Sequence, residues 1–137
     1  MANEFERVKR VGQLLLVDDN ALQLSVREAV LRNAGFVVCV ATTAESALAT
    51  LRILGERISL VITDHIMPGR NGVDFVRELR QENDWIPVIV LSGLPDAEAE
   101  YGGLDVVFRQ KPAPPPELIA LVRACLKANG NDQAGAA

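Results

Sequence analysis

The 137-residue sequence is poor in the residues that mark oxidised, metal-bound or membrane-spanning proteins. Its two cysteines, Cys39 and Cys125, fit neither a CxxC redox pair nor a zinc site, so we expect two buried, reduced thiols. Aromatic residues make up 4% against 49% hydrophobic residues, so aliphatic side chains must fill the core. The apolar runs are too short to cross a bilayer, and residues 1–13 are charged and lack a signal-peptide core. A cytoplasmic location without membrane association is therefore expected.

The charge balance of the chain is acidic. The formal net charge is −4, from 18 Asp and Glu against 14 Lys and Arg. Nonspecific nucleic-acid binding needs a basic face, so we expect no direct contact with nucleic acid. The length fits one domain. We predict an N-terminal extension over residues 1–12, one folded domain over residues 13–127 and a disordered tail over residues 128–137.

Short apolar runs alternate with segments of helical period, which is typical of βα repeats around a parallel sheet. The predicted fold class is therefore α/β. A helix within Pro95–Tyr101 is expected to be short, because few of its residues are apolar. The first helix has an apolar face, predicted to point inward, made of Leu22, Val26, Ala29 and Val30. The predicted strands are Leu14–Val17, Phe36–Ala41, Leu60–Thr63, Val88–Leu91 and Asp105–Phe108.

Charged and hydroxyl side chains follow the ends of four of these strands. Asp18 and Asp19 come directly after the first strand, and Asp64 comes after the third. Ser92 follows the fourth strand and Lys111 comes shortly after the fifth. The carboxyl ends of parallel strands converge on one edge of a sheet, where ligands bind. Three carboxylates, a hydroxyl and an ammonium there predict a site for a divalent cation and a phosphoryl group.

Each of these residues also has an ordinary structural explanation. An Asp-Asp pair before a helix is often an N-cap, an Asp after a strand is often a turn residue, and a lone lysine is usually solvated. Their joint occurrence at strand ends, in this order, is much harder to explain in that way. A hard cation such as Mg²⁺ prefers oxygen ligands, and a carboxylate can act as a phosphoryl nucleophile. Three carboxylates sharing one pocket also predict at least one raised pKa.

We therefore interpret Asp64 as the phosphoryl acceptor. Ser92 can donate a hydrogen bond to the incoming group, and Lys111 can neutralise its charge. The single histidine, His65, follows Asp64, and alternation along a strand points it away from that carboxylate, so we expect a packing or surface role.

Several motifs resemble those of the receiver domain of bacterial two-component response regulators. They are Asp18-Asp19, Asp64 with Met67-Pro68-Gly69 and Gly72, Ser92-Gly93, and Lys111-Pro112. The resemblance runs from about Leu14 to Leu126. It implies a flavodoxin-like (βα)₅ fold, a doubly wound parallel sheet with strand order 2-1-3-4-5.

The resemblance also implies roles for individual residues. Asp64 would accept a phosphoryl group from the phosphohistidine of a histidine kinase or a histidine phosphotransfer protein. Asp19 and Asp64 would bind Mg²⁺ directly, Asp18 would help through water, and the backbone carbonyl of Ile66 would be a further ligand. The remaining implied features are a switch hydroxyl at Ser92, a switch aromatic at Phe108 and a cis peptide bond between Lys111 and Pro112.

By this resemblance the protein is a signalling domain that catalyses only its own phosphorylation and slow autodephosphorylation. The sequence offers no donor histidine on an exposed helix, so the phosphoryl group must come from another protein. Output is expected through docking to a downstream protein target. The chain could be a free-standing receiver or a receiver excised from a hybrid kinase.

The sequence departs from the family pattern in its fourth helical segment, where an alanine-rich pattern is missing and Gly102-Gly103 follows. Three alternatives remain open at this point. One is a degenerate receiver-like binding module that is not phosphorylated. Another is a Mg²⁺-dependent aspartyl phosphohydrolase, which needs a second Asp where this chain has Ile66. The third is flavin binding, which Asp18-Asp19 would oppose by repelling the flavin phosphate.

Overall fold

Strands and helices alternate along the chain in the computed structural model, which describes residues 12–67 and 69–129. The strands are β1 (Gln13–Val17), β2 (Val38–Ala41), β3 (Ile58–Asp64), β4 (Val88–Ser92) and β5 (Val107–Gln110). The α-helices are α1 (Ala21–Asn33), α2 (Ala44–Leu54), α3 (Gly72–Glu82) and α4 (Pro115–Ala128). A 3₁₀ helix over Pro95–Tyr101, named here the 3₁₀ crossover, joins β4 to β5, and a shorter one over Gly55–Arg57 precedes β3.

The five strands form one parallel sheet in the order β2-β1-β3-β4-β5. This is the fold class and strand order expected from the sequence. Parallel pairing places all five carboxyl ends on one edge, and the order reverses direction between β1 and β3. The register sets Asp64 beside Leu91 and Ser92 beside Gln110. The predicted site residues therefore meet at the edge where the topology opens a crevice.

Successive residues of a strand point to opposite faces of the sheet, so the strands contribute side chains to two separate cores, one on each face. Leu15 and Val17 of β1 pack on the face covered by α2 and α3, while Leu14 and Leu16 pack on the face covered by α1 and α4. All four are nearly fully buried. β3 is buried along its whole length, as expected for a central strand of a doubly wound sheet. The aliphatic core expected from the scarcity of aromatics is confirmed, with Phe75 as its one fully buried aromatic residue among those described.

The predicted start of β5 was two residues too early, and Arg80 explains the difference. The Arg80 guanidinium donates hydrogen bonds to the carbonyls of Leu104 at 2.8 Å and Asp105 at 2.7 Å. It also donates to the Ile86 carbonyl at 2.7 Å. The 104–105 segment is thereby held as a turn, in which Asp105 has a φ of 54°. The strand can form only after it, from Val107.

The inward face predicted for α1 was wrong. Leu22 is 75% exposed and Val26 is 55% exposed, whereas Leu24 and Leu31 are buried. Arg27 lies between those two buried leucines on the same helical stripe, at the i, i+3, i+7 spacing of one face. Because a charged residue lies in the middle of this buried stripe, an analysis of hydrophobic periodicity does not identify the stripe as the inward face.

Helix α4 extends to Ala128, one residue past the predicted end of the folded domain, and Asn129 is its C-cap. Residues 1–11 of the predicted extension and 130–137 of the predicted tail lie outside the described residues. Cys39 and Cys125 are free thiols, but each is half-buried rather than fully buried. Within residues 12–67 and 69–129, none of the helices has the length and apolarity needed to cross a membrane.

Candidate functional site

Three carboxylates come together at the carboxyl edge of the sheet. One oxygen each from Asp18, Asp19 and Asp64 lies within 4.8 Å of the others. Asp18 is 1% exposed and Asp64 is 7% exposed, while Asp19 is open to solvent. The two aspartates after β1 are not the helix cap, because Asn20 is the N-cap of α1 and its side chain accepts from the Gln23 N–H at 3.0 Å. The ordinary structural explanation for this pair therefore fails.

Asp18 is held on both oxygens. Its Oδ1 accepts a hydrogen bond from the Asn20 N–H at 2.9 Å, and its Oδ2 accepts one from the Arg27 guanidinium at 2.7 Å. Sequence reasoning missed Arg27, because a lone arginine on a helix carries no motif. The signal that could have found it is its position on the Leu24–Leu31 stripe, where a cation needs a buried partner.

Asp64, the last residue of β3, meets Lys111 from the loop after β5. The Lys111 ammonium lies 2.5 Å from Asp64 Oδ1 as an ion pair. That oxygen is buried, and the Lys111 ammonium is the group that compensates its charge. Burial raises the pKa of Asp64, while Lys111 opposes the rise and Asp18 adds to it. The expectation of a raised carboxyl pKa is confirmed, with desolvation rather than mutual repulsion as its main cause.

Ser92 ends β4 on the same edge and is 2% exposed. Its hydroxyl accepts from the Leu94 N–H at 2.9 Å and lies 3.3 Å from the Leu94 carbonyl, to which it donates. Its own carbonyl accepts from the Lys111 N–H at 2.7 Å. The hydroxyl is therefore engaged with its own loop, and the backbone of the same residue positions the lysine. The bond between Lys111 and Pro112 is cis, as the resemblance implied.

Two aromatic residues lie on the side of the site away from α1. Phe108 on β5 is half-buried, and its ring centroid is 6.1 Å from that of Tyr101 at the end of the 3₁₀ crossover. Tyr101 is buried and forms a 2.7 Å hydrogen bond with Nδ1 of His65. His65 is buried as well, and it is absent from the carboxylate cluster. The packing role expected for His65 therefore holds, but sequence reasoning did not find its partner.

Gly72 is required by a close approach of two backbones. A Cβ on Gly72 would lie 2.8 Å from the carbonyl oxygen of Asp64 and 2.6 Å from the Tyr101 hydroxyl. The Gly72 N–H donates to the His65 carbonyl at 2.6 Å, which ties the start of α3 to the end of β3. This contact fixes the loop that follows Asp64. Ile66 lies in that loop with its side chain 58% exposed.

The residues present fit a hard divalent cation. The donor set is entirely oxygen, it carries three carboxylates, and the buried Oδ1 of Asp64 has the Lys111 ammonium beside it. Such a set suits Mg²⁺, which takes one or two carboxylates and keeps several waters. Asp18 has both oxygens occupied by donors, so its fit is as an indirect ligand.

A doubly wound sheet of this order with an acidic pocket at its carboxyl edge is the arrangement of a receiver domain. The sequence model of the family described as response regulator receiver domain matches residues 14–123. The chain belongs to this family and is a receiver domain of the two-component response regulators.

Individual relatives agree with this assignment. The chain is 35% identical over 125 residues to the DNA-binding response regulator MtrA of Mycobacterium tuberculosis, covering 89% of this chain and 54% of that protein. Among solved structures, chemotaxis protein CheY4 of Vibrio cholerae is similar with a TM-score of 0.77 and 25% identity, covering 84% of this chain and 98% of that chain. A probable two-component system response regulator/GGDEF domain protein gives a TM-score of 0.81 and 30% identity, over 90% of this chain and 52% of that one.

The chain spans about half the length of MtrA, the curated relative compared above. That relative is named as a DNA-binding regulator. The expectation of no direct nucleic-acid contact therefore gains no support from the relatives.

Proposed function

We propose that this receiver domain takes a phosphoryl group onto Asp64 from the phosphohistidine of a histidine kinase or a histidine phosphotransfer protein. The observation that carries the proposal is the buried Asp64 carboxylate, which lies within 4.8 Å of two further carboxylates and 2.5 Å from the Lys111 ammonium. Burial and neighbouring charges that perturb a carboxyl group at a crevice are typical of functional sites.

The transfer forms one bond and breaks one. A carboxylate oxygen of Asp64 attacks phosphorus, the bond between phosphorus and the donor imidazole nitrogen breaks, and its electron pair stays on the imidazole. The product is an acyl phosphate on Asp64. Lys111 neutralises charge on the transferred group, and the hydroxyl of Ser92 donates a hydrogen bond to it after leaving the Leu94 backbone.

Mg²⁺ is the cofactor of the proposed reaction. Asp19 and Asp64 would hold it directly, Asp18 through water, and the Ile66 carbonyl would be a further ligand. When bound, the cation offsets the repulsion between the carboxylates and the phosphoryl oxygens. The protein holds the ligands in place. The Asn20 N–H and the Arg27 guanidinium orient Asp18, and the absence of a side chain at Gly72 lets its backbone approach the Asp64 carbonyl.

The surface beside the pocket supports a protein donor. Leu22 and Val26 of α1, together with Ala113 before α4 and Pro115 at its start, line an open groove of about 310 Å³. Leu22 is three residues from Asp19, and Ala113 is two residues from Lys111, so the groove borders the acidic edge. An apolar helix of the protein that carries the phosphohistidine would bury these side chains while its imidazole reaches Asp64.

Phosphorylation is proposed to switch a docking surface for a downstream protein target. Ser92 and Phe108 are the switch pair: the serine moves toward the phosphoryl group, and the aromatic ring turns into the space it leaves. The domain acts as a signalling element in the cytoplasm rather than as an enzyme with an external substrate. Its chemistry is limited to its own phosphorylation and slow autodephosphorylation.

The test is transfer from a phosphorylated histidine protein, followed by radiolabel. We expect transfer to the wild type with Mg²⁺, loss of transfer after addition of a chelator, and no transfer to Asp64→Asn. Asp84→Asn, which removes an exposed carboxylate before β4 at the opposite edge, is the matched control and should behave as wild type. Wild-type protein that binds the donor but gains no label would indicate a non-phosphorylated binding module. Release of inorganic phosphate at every turnover would indicate a phosphohydrolase.

A further inference from the structure

Arg27 contacts the acidic pocket with a charged side chain, although the receiver motifs do not include it. Its guanidinium donates to Asp18 Oδ2 at 2.7 Å, and its side chain is only 17% exposed. It comes from α1, whereas Lys111, which pairs with Asp64, comes from the loop after β5. Two cations from different elements therefore contact the carboxylate cluster.

The placement of Arg27 is costly unless the ion pair is maintained. It interrupts the buried stripe of Leu24 and Leu31, where an apolar side chain would satisfy the packing. Its partner Asp18 is 1% exposed, so loss of the arginine would leave a buried carboxylate with only the Asn20 N–H. The charge of Arg27 also acts on Asp64, whose pKa it lowers against the effect of burial.

The charge of Arg27 should affect the binding of a divalent cation and of a phosphoryl group to this pocket in opposite directions. Three carboxylates against Arg27 and Lys111 leave a net charge of about −1 when all are ionised, and without Arg27 the value is about −2. A divalent cation binds better at the more negative value. A phosphoryl group, which adds negative charge, binds better when the second cation is present.

We propose that Arg27 is a positioning residue for phosphoryl uptake: it orients Asp18 and supplies a second positive charge, weakening Mg²⁺ binding to the unphosphorylated pocket and strengthening binding of the phosphoryl group. The inference rests on the proposed function, because it assumes that both ligands enter this pocket. With Arg27 present, the unphosphorylated domain would bind Mg²⁺ weakly, and it would bind Mg²⁺ more tightly once the phosphoryl group has entered the pocket.

The experiment measures two affinities on each variant. Mg²⁺ alone is titrated by calorimetry, and beryllofluoride, an anion that imitates a phosphoryl group, is titrated at saturating Mg²⁺ by NMR. For Arg27→Gln we expect Mg²⁺ to bind about tenfold more tightly and beryllofluoride about tenfold more weakly. Arg27→Lys keeps the charge and should stay within about threefold of wild type for both ligands.

Two further variants act as controls. Arg77→Gln removes a positive charge from an exposed pair with Asp74 on α3, and neither affinity should change. Arg27→Met places an unbranched apolar side chain at this position of α1, so it repeats the test if the glutamine variant unfolds, and the same opposite shifts are expected.

The opposite signs separate the proposal from a merely structural role, in which both affinities would fall together. Parallel losses, or no change in either affinity, would overturn the role of Arg27 while leaving the proposed function in place. Wild-type protein that binds neither Mg²⁺ nor beryllofluoride would overturn the proposed function, and the role of Arg27 with it.

Discussion

His65 and Tyr101 are joined by a 2.7 Å hydrogen bond between Nδ1 and the phenol oxygen, and both residues are buried. The Glu100 carboxylate, 3.5 Å from Nε2, favours a proton on that nitrogen, which leaves Nδ1 to accept from the Tyr101 hydroxyl. Tyr101 also packs against Phe108. The pair thus connects the residue after Asp64 to the 3₁₀ crossover and to the proposed switch aromatic.

Removing this hydrogen bond should cost stability but not phosphorylation. Tyr101→Phe keeps the ring and its contact with Phe108 but leaves a buried imidazole nitrogen without its donor, a loss of about 1 to 3 kcal/mol. Urea unfolding measures the change, and labelling of Asp64 should continue. Tyr101→Ala, which also removes the ring, should cost more. Equal stability of Tyr101→Phe and wild type would mean that the hydrogen bond is not stabilising.

The raised pKa of Asp64 predicts how stability depends on pH. Burial raises the pKa, so the folded protein holds this proton more tightly than the unfolded chain. The stabilisation is complete below the ordinary carboxyl value of 3.8 and is lost as pH rises through the folded pKa. At pH 7 without Mg²⁺, Asp64→Asn should therefore be more stable than wild type by roughly 1 kcal/mol. The gain should disappear at low pH.

Thermal unfolding of the two proteins across pH measures this difference, with Asp84→Asn as a control that should show no gain. Mg²⁺ affinity should also fall as the pH falls, because the proton and the cation compete for the same carboxylate. A wild-type protein that is more stable than Asp64→Asn at pH 7 would show that the Lys111 ion pair outweighs the desolvation of Asp64.

Ser92 should transmit phosphorylation rather than permit it. Its hydroxyl must give up two contacts with the Leu94 backbone to reach a phosphoryl group. Ser92→Ala should accept label to the wild-type extent, while NMR shift changes at Phe108 on addition of beryllofluoride become much smaller. Ser25→Ala on the exposed side of α1 is the control. If beryllofluoride shifts the Phe108 signals in Ser92→Ala as much as in wild type, these two residues are not the switch.

The acyl phosphate on Asp64 should be long-lived. Hydrolysis needs a water in line with the bond to phosphorus, and the residues two positions past Asp64 and Ser92 are Ile66 and Leu94. Their apolar side chains are 58% and 49% exposed, and neither can orient a water. Ile66→Asn should speed loss of phosphate about tenfold, roughly 1.4 kcal/mol of barrier, and Leu94→Ala should also accelerate it.

The decay of phosphorylated protein, after removal of the donor, measures that rate. Ile53→Asn makes the same replacement at an 81% exposed position on α2 and should leave it unchanged. A wild-type half-life of seconds, or equal rates in all variants, would mean that these side chains do not control access of water.

The sheet and the motif residues could be predicted from sequence because each signal is local. An apolar run followed by Asp64, Ser92 or Lys111 identifies a strand end, and parallel pairing then brings those ends together. The short 3₁₀ crossover was also visible, since Pro95–Tyr101 lacks an apolar stripe.

The features that were missed depend on contacts between distant residues. The turn before β5 is set by Arg80 on α3, and the rotation of α1 is set by the ion pair of Arg27 with Asp18. Arg27 donates to the buried Asp18 carboxylate, and Arg80 donates to the carbonyl of the buried Ile86. An analysis of hydrophobic periodicity treats every arginine as a surface charge, so it does not detect either contact. The His65 and Tyr101 pair, separated by 36 positions, likewise leaves no local signal.

The most direct measurement is to locate the phosphoryl group on the chain. Protein treated with an acyl-phosphate donor and Mg²⁺ is reduced with borohydride, which converts an aspartyl phosphate to homoserine, and its peptides are sequenced by mass spectrometry. If Asp64 is the acceptor, homoserine appears at position 64 alone and only in samples that contained Mg²⁺. Homoserine at Asp18, Asp19 or any other carboxylate, or the same yield at position 64 without Mg²⁺, would contradict it.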